Sequence, residues 1–468
     1  MHPQTYTLKN GLQVIFIDTK TFPTLTTLLL VGAGSRYENE MNNGVAHFFE
    51  HMAFKGSQKY PNSFVISSTV EGFGGVFNAF TSKDHTGYWI KATTKHFETM
   101  IDVIADMIQT PKLLTEEIER EKGVIKEEIN MYEDMPQRKV GEIFETLLYK
   151  GSPLGFDIAG TKETVQSFNR LTFINYINSF YHPNNAVLVV AGGLTEKSEI
   201  QNPKFKTNSN IQNPNGQKSF KNLNLENSKI VSDFDIRASN LSYYLSIIEN
   251  KFSGWKSGEK SSFVKIKESQ TKPQMLIKYK KTEQAHFSLG FRAFSFNDKR
   301  KYAMNLLTTI LGGGMSSRLF IQVRERRGLC YYISSGGEFY HDCGNFITQA
   351  GVTNNLDKVK EAIKVILEEH NKIKSGDIKK EELLKIKEMI KGRLMLSMED
   401  SMNIASFFGT KKILQDKIET PEEIIKRIEA VTVGEIAELA KNIFTPDKLN
   451  FALIGPFEDK NFGNILNL

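Results

Sequence analysis

Residues 44–57 read GVAHFFEHMAFKGS, and this stretch decides how the first half of the chain is built. Val45, Phe48, Phe49 and Met52 recur at helical intervals, and Gly56 stands just beyond them, where a helix stops. In an α-helix positions i and i+4 share a face, so His47 and His51 would aim two imidazoles at one point. Neutral imidazole is a nitrogen donor suited to zinc. Glu50, one residue before the second histidine, is placed to take a proton from a water polarised by such a metal. The competing reading is a pair of histidines partly packed on an ordinary helix.

A catalytic zinc needs a third protein ligand and an open position. Working outward, 12–17 (LQVIFI) and 25–31 (LTTLLLV) read as strands before this helix, and 76–82 with 86–92 as a strand pair after it. Helical patterns follow at 96–110 and 115–132, and a strand at 186–191 closes the half. The 115–132 helix carries Glu116, Glu117, Glu119, Glu121, Glu127 and Glu128. Glu121 and Glu128, seven apart, share a face, while Glu127 points about a quarter-turn away. The residues alone do not choose between Glu127 and Glu128 as the third ligand.

The second half repeats the order. Strands are expected at 275–279 and 286–291, then a helix to Leu311, the triplet Gly312-Gly313-Gly314 and a further helix to Arg327. Strands near 330–334 and 345–351 come next, then helices at 355–372, 379–415 and 420–443 and a last strand at 451–455. Strand, strand, helix, strands, helices, strand thus occurs twice, which suggests an internal duplication. The fold class expected is α+β, two related domains, each a mainly antiparallel sheet flanked by helices. The domains are an N-terminal metal-binding catalytic domain at 1–194 and a C-terminal domain at 238–468, whose residues 238–274 are a connecting helix and linker. Between them 195–237, dense in Asn, Ser and Lys, reads as a polar insertion too poor in apolar surface to offset its ordering entropy.

Composition narrows the function classes. At 40% hydrophobic and 24% charged, the 468 residues are ordinary globular material, which excludes collagen-like and wholly disordered chains. Two cysteines, Cys330 and Cys343, make no disulfide framework and suit a reducing compartment. Sixty basic against 54 acidic residues is a mild excess that gives no case for nucleic acid. The N-terminus shows no signal-peptide pattern, and the apolar stretch at 28–33 is too short to span a bilayer. The expectation is a cytoplasmic protein without a membrane or nucleic-acid partner.

GVAHFFEHMAFKGS, with NAFTS at 78–82 and EREKGVIKEEINMYEDMP at 119–136, resembles the pitrilysin (insulinase) family of zinc metallopeptidases, whose motif runs H-x-x-E-H. LYKGSPLGFDIAGTKETV, FYHPNNAVLVVAGG and GGGMSSRLFIQVRERRGLCYYI extend the likeness along the chain, closest to short members such as the mitochondrial processing peptidase β-subunit and bacterial peptidases. The resemblance implies one zinc per chain on His47, His51 and Glu128, with Glu121 supporting a ligand histidine. It also implies that Asn78, Ala79 and Phe80 lie on an edge strand to which a peptide adds as a further strand. Arg324 and Tyr331 match a pair that stabilises the oxyanion, and Gly312, Gly313 and Gly314 a loop that assists substrate recognition. The activity implied is endopeptidase cleavage of peptides or presequence-like segments inside half of a clamshell closed by a second chain. Because this chain carries both the zinc motif and the Arg/Tyr pair, a homodimer is expected, with a heterodimer as the alternative. The rival function is a non-catalytic scaffold of the same fold.

Overall fold

The computed structural model describes residues 2–194, 233–259, 262–415, 418–458 and 462–466, with the backbone course alone for 233–240. Most of the polar segment expected at 195–237 lies outside the described residues.

Two sheets organise the chain. The first contains β1 (Gln4–Thr7), β2 (Gln13–Asp18), β3 (Thr24–Val31), β4 (Val76–Thr81), β5 (Thr86–Thr93) and β6 (Ala186–Gly192), in the order β1-β2-β6-β3-β5-β4. The second contains β7 (Gln274–Tyr279), β8 (Gln284–Ala293), β9 (Cys330–Phe339), β10 (Gly344–Thr353) and β11 (Leu449–Gly455), in the order β7-β11-β8-β10-β9. With β1 set aside, the two orders coincide strand for strand. Each sheet has one parallel pair, β2 with β6 and β7 with β11, and all its other pairs are antiparallel. The duplication expected from element order is therefore present in the topology, and the fold is α+β with helices flanking both sheets.

The helices of the first half are α1 (Val45–Ala53), α2 (Ser63–Gly72), α3 (Phe97–Gln109), α4 (Thr115–Glu133), α5 (Pro136–Leu148), α6 (Lys162–Ser167) and α7 (Arg170–Phe180). Then come α8 (Asp233–Phe252), α9 (Lys301–Gly312), α10 (Leu356–Lys374), α11 (Lys380–Ser397), α12 (Ser401–Leu414), α13 (Pro421–Ala430) and α14 (Val433–Ile443). Among the described residues no helix is long and apolar enough to cross a membrane.

Two expected long helices are each broken, and in both cases a side-chain cap restarts the chain. The helix expected at 379–415 divides into α11 and α12 because Asp400 accepts from the amides of Met402 and Asn403. The one expected at 420–443 divides into α13 and α14, where Thr432 and Glu435 form a capping box. In place of the helix expected to run to Arg327 there is a π-helical turn at Phe320–Glu325.

Strand β2 shows how the layers form. Val14 and Phe16 enter the core under α1 and α3, while Ile15 and Ile17 point through the sheet into a second cluster. Helix α12, from the far end of the chain, covers that second face with Ile404, Ala405 and Phe408. The exchange is reciprocal: α5 lays Val140, Ile143, Phe144 and Leu148 against Ala452 and Ile454 of β11 in the second sheet. The connecting helix also sides with the first sheet, Tyr244 of α8 meeting Phe97 edge-on at 4.7 Å. Each sheet thus borrows a helix from the other half of the chain. A buried guanidinium reinforces the join, with Arg36 pairing to Asp84 at 2.9 Å and to Asp342 at 2.7 Å.

Candidate metal centre

Helix α1 begins after Gly44, whose φ of +96° is a left-handed conformation that side chains disfavour. A Cβ there would also lie 2.7 Å from the carbonyl oxygen of Ala159. The buried carboxylate of Glu38 takes up the helix's orphan amides, accepting from Gly44 N and Ala46 N at 2.8 Å each. Phe48 and Phe49 anchor the inner face, meeting Phe173 and Tyr181 edge-on at 5.0 and 4.8 Å. That packing leaves His47, Glu50 and His51 toward α4 and the edge strand β4.

His47, His51 and Glu128 converge, with one potential ligand atom from each lying within 4.8 Å of the others. Glu128 Oε2 is 3.6 Å from His47 Nε2 and 3.5 Å from His51 Nε2. Ligands bonded tetrahedrally to zinc at 2.0–2.1 Å stand about 3.3 Å apart, so the spacing fits that metal. Two imidazoles and a carboxylate also match the protein donor set of a catalytic zinc site, and these three residues would hold the metal. Among the described residues no other such group of His, Cys, Asp and Glu side chains exists.

The surrounding hydrogen bonds orient these donors. Glu121 Oε1 lies 2.9 Å from His51 Nδ1, which puts the ring hydrogen on that nitrogen and leaves the Nε2 lone pair toward the metal point. Lys55 Nζ holds the other oxygen of Glu121 at 2.5 Å. Burial opposes charge on Glu121, but these two partners outweigh it and hold its carboxyl below the usual range. On His51 burial is likewise outweighed, by Glu121, Glu128 and Glu50, and its pKa rises. His47 goes the other way: burial first, then neighbouring His51, push it down to about 4, so it is a neutral donor at physiological pH.

Three further contacts were not legible as function in the sequence. Tyr132 donates its hydroxyl to Glu128 Oε1, leaving Oε2 for the histidine side, and the Arg138 guanidinium stacks 3.3 Å above the Tyr132 ring. Thr81 Oγ1 donates to Glu50 Oε2 at 2.6 Å. Tyr132 lies four residues after Glu128 on the same helix face, a spacing that could have exposed it. Nothing in the sequence pairs Thr81 with Glu50.

Asn78, Ala79 and Phe80 lie on β4, which among the described residues pairs only with β5 and ends its sheet. Ala79 faces the α1 core, and Phe80 lies over Gly87 of β5, where an added Cβ would come within 2.5 Å of its ring. Arg324 and Tyr331 are brought together, the guanidinium 5.6 Å from the phenol ring. Tyr331 is 73% exposed, and among the described residues no hydrogen bond or ion pair joins either to the metal centre. Gly312 abuts the second edge strand, where a Cβ would sit 2.2 Å from Ser335 N. The carbonyl of Gly313 accepts from Arg393 at 2.7 Å, and Gly314 faces the same arginine. Cys330 is buried and its thiol is pushed up to about 11, which agrees with a structural role.

Residues 13–162 match a family model described as insulinase (peptidase family M16), and 240–390 match one described as the peptidase M16 inactive domain. An uncharacterized zinc protease of Bacillus subtilis is 32% identical over 452 residues, covering 96% of this chain and 98% of the relative. Another, of Rickettsia felis, is 31% identical over 456 residues, covering 97% and 98%. Among solved structures, a protease from Helicobacter pylori superposes with a TM-score of 0.82 at 22% identity, covering 97% of this chain and all of that one. A structure from Pseudomonas fluorescens described as a peptidase M16 inactive domain gives 0.80 at 18% identity, covering 98% of each chain. These two structural likenesses concern the fold.

Proposed function

Because the chain belongs to the insulinase (M16) peptidase family, we propose that it is a zinc-dependent endopeptidase cutting peptides or unfolded, presequence-like segments held as an added β-strand. The observation that carries this reading is the convergence of His47, His51 and Glu128 with Glu50 in electrostatic reach of the last two.

Zinc held by these three ligands would supply a Lewis acid that polarises the scissile carbonyl and lowers the pKa of a water. Glu50 takes the proton from the attacking water and returns it to the leaving amine. The open edge of β4 at Asn78–Phe80 aligns the peptide backbone, and Glu121 keeps His51 in the ligating tautomer. Arg324 and Tyr331 would stabilise the oxyanion if supplied by a second copy of the chain, which makes the working unit a homodimer enclosing its substrate. A heterodimer with a related chain is the alternative assembly.

Quenched-peptide cleavage that a chelator abolishes, zinc restores and Glu50→Gln lacks is the expected result. Mixing Glu50→Gln with Arg324→Ala chains should restore activity, since one active-site pairing in the mixed dimer is intact. The scaffold reading draws on the description of the 240–390 match as an inactive domain. Stoichiometric zinc with no cleavage of any peptide would decide for it.

A further inference from the structure

The strand expected to receive substrate also holds the expected general base. On β4 side chains alternate, so the parity that turns Ala79 into the core beneath α1 turns Thr81 to the same side. There Thr81 Oγ1 reaches Glu50 Oε2 at 2.6 Å, while Glu50 Oε1 makes no hydrogen bond among the described residues. A carboxylate bound at one oxygen is restrained in position and still has the other oxygen to accept from a water. Thr81 is itself held in register opposite Thr86 of β5, whose hydroxyl donates to the carbonyl of Ala33 at 2.8 Å. Among the described residues the outer edge of β4 is unpaired.

We propose that Thr81 is a positioning residue that ties Glu50 to the edge strand, so that the base is registered against the bound peptide as well as against the metal-binding helix. This rests on the peptidase reading and adds to it a specific link between substrate alignment and proton transfer. A peptide pairing along β4 restrains the strand. Through one hydrogen bond that restraint passes to Glu50, the group that must meet the attacking water. A base misaligned by an ångström loses rate without losing substrate affinity.

The test compares Thr81→Val, which keeps the shape and loses the hydroxyl, with Thr81→Ser, which keeps the hydroxyl. Zinc content and melting temperature are measured on both beside the wild type. The expected result is unchanged zinc loading, KM within about twofold, and kcat lowered about 10- to 100-fold in Thr81→Val. Thr81→Ser should stay within about threefold of wild type. A zinc-loaded, folded Thr81→Val chain with wild-type kcat overturns the proposal and leaves the peptidase reading standing. So does a Thr81→Ser chain as impaired as Thr81→Val. A zinc-loaded wild type that cuts no peptide overturns the peptidase reading, and this proposal with it.

Discussion

The two halves share one strand order and differ in what they place beside it. Between β3 and β4 the first half carries α1, with His47, Glu50 and His51; between β8 and β9 the second carries α9, whose run KYAMNLLTTILG has neither histidine nor carboxylate. The contrast extends to the histidines themselves. His51 sits between Glu121 and Glu128, which favour its charge and orient its nitrogens. His370 on α10 instead stacks on Phe444 at 4.2 Å and meets Phe346 edge-on at 5.5 Å. Among the described residues both its ring nitrogens are buried without a hydrogen-bond partner, and burial pushes its pKa down to about 3. The comparison teaches that the candidate metal site is a local set of side chains placed on one copy of a repeated scaffold. It also shows that the halves interlock, because α5 and α12 each cover the other half's sheet.

The sharpest way to break this comparison is at Glu50. Glu50→Gln should lower kcat by about 10²- to 10⁴-fold with zinc content unchanged, read by peptide cleavage and metal analysis. If activity survived, the first half would be no more a catalytic half than the second.

Next in size is Phe408→Ala on α12, a fully buried side chain beneath the first sheet. It should cost about 3–5 kcal/mol in denaturant unfolding, from lost burial and the cavity left behind. Both halves should still unfold in one transition; two separate transitions would mean that the exchanged helices do not couple them.

Tyr132→Phe acts on the metal centre alone. Freed of the phenol, Glu128 can rotate, and zinc should bind about 10- to 100-fold more weakly in competition with a chelator, with little change in melting temperature.

The smallest effect belongs to the second half's histidine. A histidine whose folded pKa is depressed binds fewer protons folded than unfolded, so its neutral burial is fully tolerated only above the ordinary histidine value. Stability is then lost as pH falls from there toward about 3. His370→Phe should change stability by less than about 1.5 kcal/mol near pH 7.5. Between pH 7 and 5 it should lose less melting temperature than the wild type. An unchanged pH dependence would show that His370 does not contribute to acid sensitivity.

Much of the site was legible because it is local. The i, i+4 spacing of His47 and His51 and the seven-residue step from Glu121 to Glu128 follow from helix geometry before any packing is known. Helix breaks at Asp400 and Thr432 were readable in principle from their capping residues, but continuous apolar periodicity on both sides hid them. The helix exchange was not readable, since Ile404 and Phe408 announce a buried face without saying which sheet covers it.

By itself, then, the sequence determined the kinds of element, their doubled order and the residues able to bind a metal, because these depend on propensity and spacing along a few turns. Only the tertiary structure brought Glu128, which the residues alone left level with Glu127, within reach of the histidines, and it alone decided that Thr81 holds Glu50 and that each sheet is closed by the other half's helix. Those contacts join segments from tens to hundreds of residues apart, and their partners are chosen by shape and burial in the assembled core, which no local pattern encodes.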